Sequence, residues 1–124
     1  MSKLDDVLTD FRNEIDGFVS TDIVGITDGI SIAGGSIIPN FDSSVASAEF
    51  AAVTNSSMRA LRSLGNDKLE DILFTTDNLY IIVRIFSGSE YYHGLAINKA
   101  NGNLGRSRLI MKNFEHKILE AMPH

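Results

Sequence analysis

Hydrophobic positions recur at intervals of three and four in three stretches of this chain, and alternate or run together in the stretches between. Leu4, Val7, Leu8, Phe11 and Ile15 form one face opposite Asp5, Asp6, Asp10, Arg12 and Glu14, which predicts an amphipathic helix. Ser2 followed by Asp5 resembles a capping box, the early acids suit the positive end of the helix, and Gly17 ends it. Phe18–Ile26 and Ile30–Ile38 are rich in β-branched residues, with Asp28-Gly29 between them as a two-residue hairpin turn. Gly34-Gly35 should loosen or bulge the second strand. From Phe41 to Leu64 the helical period returns, bounded by cap candidates Asp42 to Ser44 and by Gly65-Asn66.

Three more strands are expected at Lys68–Thr75, Leu79–Phe86 and Tyr91–Asn98, joined by turns at Asp77-Asn78 and Ser87-Gly88-Ser89. In the second, Leu79, Ile81, Val83 and Ile85 alternate with Tyr80, Ile82 and Phe86, and only Arg84 interrupts; both faces of this strand should be covered. Asn103 can cap a last helix whose apolar stripe is Leu104, Ile110, Met111, Phe114, Ile118 and Met122, and Pro123 stops it. The order α-β-β-α-β-β-β-α, over a single domain 1–124, implies an α+β fold with an antiparallel sheet and helices on its faces.

The long middle helix has two weakly charged sides. Ala46, Phe50, Val53, Ser57, Ala60, Leu61 and Leu64 read as the side that docks on the sheet. Opposite them Ala48, Ala51, Asn55, Met58 and Arg62 form a small, nearly uncharged face, which reads as a subunit contact because a solvated face would carry more Lys and Glu. Arg59 and Arg62 near its end either meet a carboxylate on a partner or cap the helix carbonyls.

Composition narrows the function. Cysteine is absent, which excludes disulfides, thiolate metal sites and a Cys nucleophile and suits a reducing compartment; the cytoplasm is the expected location. A net charge of -5, with 11 scattered Lys and Arg, argues against nucleic acid as a partner. No apolar run approaches the ~20 residues of a membrane span, and the first residues lack the apolar core of a signal peptide. Gly102 to Ser107 has glycines before a helix, but Arg106-Ser107 lies at the wrong spacing for a phosphate loop, so a loop and a cap suffice. The glycines from Gly25 to Gly35 lie on a hairpin, away from any strand-to-helix turn. His93, His116 and His124 form no metal-ligand pair, and His116 with Glu120 reads as a solvated i, i+4 pair. Gly29-Ile30-Ser31-Ile32-Ala33 lacks the second glycine of a hydrolase elbow, and Asp5-Asp6 and Glu70-Asp71 are adjacent in sequence rather than convergent. No catalytic residue, cofactor or metal is expected; the chain reads as a binding module.

The hairpin IVGITDGISIAGG (Ile23–Gly35), the small-residue helix AEFAAVTNSSMRALRSLG (Ala48–Gly65), the strand pair LEDILFTTDNLYIIVRI and NGNLGR (Asn101–Arg106) stand in an order that resembles the Roadblock (dynein light chain) family. The leading helix makes the chain more similar to its bacterial and archaeal members, which partner small Ras-like GTPases, than to the shortest eukaryotic light chains. The resemblance implies a profilin-like α/β/α sandwich, with the central helix on one face of a five-stranded antiparallel sheet and the terminal helices on the other. It implies a homodimer formed through the third strand and the central helix, here Leu69, Asp71 and Leu73 with Ala48, Ala51, Asn55, Met58 and Arg62. A GTPase would then seat on the remaining stripe, Glu49, Ala52, Ser56, Arg59 and Ser63, and its nucleotide cycle would be regulated, with GTPase activation as one form. The alternative is a structural adaptor in a larger assembly, without effect on nucleotide turnover.

Overall fold

A computed structural model describes residues 2–65 and 67–123. Three helices, α1 (Lys3–Asn13), α2 (Ser44–Arg62) and α3 (Leu104–Ala121), and five strands, β1 (Phe18–Gly25), β2 (Ser31–Ser36), β3 (Asp71–Thr75), β4 (Leu79–Ile85) and β5 (Tyr91–Asn98), follow the order expected from the hydrophobic pattern. All neighbouring strands pair antiparallel in the order β2-β1-β5-β4-β3, so β2 and β3 are the two edges. The α+β sandwich expected from the sequence is the observed architecture.

Local chemistry sets the ends of the elements. Ser2 Oγ accepts the Asp5 N–H at 3.1 Å and starts α1, and Asn103 Oδ1 accepts the Arg106 N–H at 2.9 Å and starts α3. Before α2 the acceptor is Asp42, whose Oδ1 takes the Ser44 N–H at 2.9 Å. The Asn66 half of the proposed C-cap, like His124, lies outside the described residues. The loop before α3 is a packed connection: the Gly102 N–H bonds the Asn98 carbonyl at 2.8 Å, and a Cβ on Gly102 would lie 2.4 Å from that oxygen.

Three expectations need correction. The β1–β2 connection is wider than two residues: the Gly25 N–H bonds the Ile30 carbonyl at 2.9 Å across Ile26 to Gly29. The extra length exists because Ile26 is buried and its N–H goes to the Glu90 carbonyl, while Gly29 at φ +71° and the Asp28 carboxylate close the turn. The irregularity in this hairpin falls at Ile23/Val24, and Gly34-Gly35 stay in register with Asp22 and Thr21. The third strand begins at Asp71 rather than Lys68.

Each sheet face has its own core. On one, Leu4, Leu8 and Phe11 of α1 and Ile110, Met111, Phe114 and Ile118 of α3 cover Ile23, Ile82, Leu95 and Ile97. His93 is fully buried in this layer, its ring 4.6 Å from that of Phe11. Thr21 Oγ1 donates to the Gly94 carbonyl and accepts from His93 Nε2–H, both at 2.8 Å, which leaves Nδ1 as a bare acceptor. Burial, reinforced by the charge of Arg84, lowers the pKa of this imidazole to about 3. On the other face α2 covers Val24, Ile26, Val83 and Tyr92. Strand β4 serves both layers, with Ile82 and Phe86 toward the terminal helices and Val83 and Ile85 toward α2, as its alternation requires.

Candidate protein-interaction surface

The side of α2 that meets the sheet is made of small and polar residues. Ser47, Ala51 and Thr54 are its buried positions, and Phe50 and Met58 pack partly against the same layer. Thr54 returns its hydroxyl to the Phe50 carbonyl at 2.8 Å, which lets a threonine sit in an apolar contact without an unpaired donor. Asn55 Nδ2 donates to the Ile26 carbonyl at 2.8 Å, and the Tyr92 hydroxyl donates to the Ser47 carbonyl at 3.1 Å. Asn55 and Tyr92 therefore tie the helix to the rest of the chain through polar contacts, while Thr54 satisfies its hydroxyl within the helix.

This placement agrees with the face assignment read from the sequence only in part: Phe50 packs on the sheet as expected, and Ala51, assigned to the opposite side, is buried there as well. Ala51 is 2 % exposed against its own sheet, while Asn55 and Met58 are half-buried, Asn55 bonded to the Ile26 carbonyl and Met58 packed partly against the sheet layer. Ala48 and Arg62 are exposed, but Ala48 lies against the β1–β2 turn, where a Cβ on Gly29 would come within 3.1 Å of its Cα. Asp71 is held by Arg108 of α3, through Nε at 3.0 Å and Nη2 at 3.2 Å, and is likewise occupied within the chain. Leu69 precedes β3 and Leu73 packs toward the terminal helices. The cause is that the helix needs small residues where it approaches its own sheet closely; size alone does not say which neighbour comes close.

The solvent-facing side of α2 carries two stripes, set apart by helical spacing. One is Glu49, Ala52, Ser56, Arg59 and Ser63, all exposed, with Arg59 Nη2 donating to Ser56 Oγ at 3.3 Å. The other, expected on the sheet, is Ala46, Val53, Ala60 and Leu64; Val53 is 40 % exposed and Leu64 85 % exposed. Phe50 and Phe74 fix which way this second stripe leans, since their rings meet at 5.1 Å and Phe74 belongs to β3. An exposed apolar stripe and an edge strand thus lie on the same side of the molecule. The sequence reading missed Val53 and Leu64 as surface residues, because the apolar character of both points toward burial.

The β3 edge is short, and it pairs with β4 alone. No described helix is long and apolar enough to cross a membrane.

No protein-family model and no curated protein matches this sequence. Solved structures do match in fold. A structure described as MglB with tetrameric arrangement superposes with a TM-score of 0.82 at 15% identity, covering 97% of this chain and 90% of that one. Myxococcus xanthus MglB gives 0.80 at 18% identity, with 98% of each chain covered. A Roadblock/LC7 domain from Streptomyces avermitilis gives 0.74 at 11% identity, covering 93% of this chain and 97% of that one. The chain has the Roadblock/MglB-like fold.

Proposed function

We propose that this protein is a non-catalytic homodimeric module that binds a small Ras-like GTPase and regulates its nucleotide cycle. The observation that carries the reading is the outer side of α2, where an apolar stripe beside an open strand edge and a polar stripe centred on Arg59 stand side by side. Two copies would meet through β3 and through Val53, Ala60 and Leu64, in place of the residues first assigned to that contact. Glu49, Ala52, Ser56, Arg59 and Ser63 then remain for the GTPase, with Arg59 as anchor, since arginine is favoured at the energetic centres of interfaces. The fold shared with MglB supports a binding role, and a structure of MglB in a tetrameric arrangement supports self-association.

The test is Arg59→Glu, examined by pulldown with a small Ras-like GTPase from the same genome, by a hydrolysis assay and by a melting curve. Loss of GTPase binding with an unchanged melting temperature is expected; Arg59→Ala should weaken binding by about 1 to 2 kcal/mol. Normal binding by the Glu variant refutes the assignment of this stripe. Binding by the unmodified protein without any change in hydrolysis would favour the adaptor role. Val53→Glu should convert the dimer to a 13.6 kDa monomer in light scattering, because a carboxylate buried without a partner is costly.

A further inference from the structure

Beneath the first half of α2 the sheet and the helix do not close on each other. A cavity of about 510 Å³ remains, walled by Leu79, Ile81 and Val83 of β4, by Phe50 of α2 and by Ile38 and Phe41 of the β2–α2 connection. Its floor is formed where β1 and β5 run side by side, with Asp22 opposite Gly94 and Gly34 on the other flank of Asp22. That volume is within the range of small-molecule sites; apolar side chains share the walls with the hydroxyls of Ser31, Ser36, Ser43 and Ser47, and Asp22 is the one carboxylate among them.

Asp22 is the charged anchor. Its Oδ2 accepts from Ser47 Oγ at 2.7 Å, while Oδ1 has no donor among the described residues and no cation pairs with the carboxylate there. Two missing side chains make its seat: a Cβ on Gly94 would lie 2.4 Å from Oδ1, and one on Gly34 would lie 3.1 Å from the Asp22 Cβ. A charged residue that needed only to hold α2 would be served by the serine bond alone. Here half of the carboxylate faces the open volume instead. Burial raises its pKa above the usual carboxylate value, against the smaller opposing effect of the Ser47 bond, so the ionised form lacks the positive neighbour that would relieve it. The Tyr92 phenol at the same end is raised as well, first by burial and next by the charge of Asp22, and remains a neutral donor committed to Ser47.

We propose that this cavity binds a small amphipathic amine, with the ammonium on Asp22 and the hydrocarbon among Ile81, Val83, Phe50 and Ile38. The ammonium would supply both the missing donor to Oδ1 and the missing counter-charge, and the apolar walls would select an aromatic or branched body over a polar one. This proposal is independent of the GTPase reading, because the cavity opens under α2 and the Arg59 stripe lies on its far side.

The experiment is an NMR titration of the full chain with 2-phenylethylamine, and with 2-phenylethanol as its uncharged counterpart. Saturable shifts of the Asp22, Gly34, Gly94 and Ala96 amides are expected with the amine, at an affinity about tenfold or more above that of the alcohol. Asp22→Asn should remove that advantage and leave alcohol binding within about twofold. Ala96→Leu, which adds bulk from β5 into the cavity, should abolish binding of both and keep the fold, so the proposal remains testable even if the Asn variant does not fold. Equal binding of amine and alcohol, or no saturable shift at millimolar amine, would overturn it.

Discussion

The two faces of the sheet are built on different rules. Against the terminal helices the residues are large, apolar and fully enclosed: Phe11, Met111 and Ile118 have no exposed surface, and even the one imidazole in the layer is kept uncharged. Against α2 the buried positions are Ser47, Ala51 and Thr54, with Phe50 and Met58 packed partly beside them, a cavity remains beneath the first half of the helix, and Val45, Val53 and Leu64 are exposed. One face contributes most of the hydrophobic stabilisation. The other leaves several of its apolar residues on the outside, where they add little to cohesion.

The largest expected difference is in core truncations. Phe11→Ala should cost about 3 to 5 kcal/mol in a denaturant titration, because a fully buried ring leaves a cavity behind. Phe50→Ala, on a half-buried ring beside an existing cavity, should cost no more than about 2 kcal/mol. Equal losses would mean that the α2 layer is as cohesive as the other.

The faces should also respond to pH with opposite sign. His93 is harder to protonate in the folded chain than in the unfolded one, with a pKa of about 3 against 6.5, so the stability it allows is complete above about pH 6.5 and is lost as pH falls toward 3. The slope in that window is at most about 1.4 kcal/mol per pH unit, and His93→Phe should flatten it in melts taken from neutral to acid pH. Asp22 acts the other way. Its folded pKa is raised, so stability falls as pH climbs from the unfolded carboxyl value through the folded one, and Asp22→Asn should remove that loss. An unchanged acid slope in His93→Phe would place the acid sensitivity elsewhere.

The smallest effect sharpens the account of how α2 is held. Tyr92→Phe deletes only the hydroxyl that reaches the Ser47 carbonyl and should cost about 0.5 to 1.5 kcal/mol, measured as a shift of the denaturation midpoint at constant slope. A loss well beyond that would show that the polar ties, rather than the apolar contacts, hold α2 to the sheet.

The sequence by itself determined the element order, because the switch between a period near 3.6 and a period of 2 is a local property that each segment carries. Ser2 and Asn103 marked the starts of α1 and α3 through their own hydroxyl and amide oxygens, and the alternation in Leu79–Ile85 already required a strand covered on both faces. The β1–β2 turn was misjudged because its length depends on Ile26 reaching a carbonyl more than sixty residues away in sequence, at Glu90. The orientation of α2 was decided by tertiary structure alone. Val53 and Leu64 are more apolar than Ser47 and Thr54, so transfer energies favour burying them, yet Ser47 and Thr54 are the buried residues, with Asp22 accepting from the Ser47 hydroxyl, the Phe50 carbonyl accepting from Thr54, and the Ile26 carbonyl accepting from the half-buried Asn55. Asp22 shows the same limit: its place in a strand is visible in the sequence, while the serine at one oxygen and the cavity at the other exist only once residues from β1, β5 and α2 have been brought together.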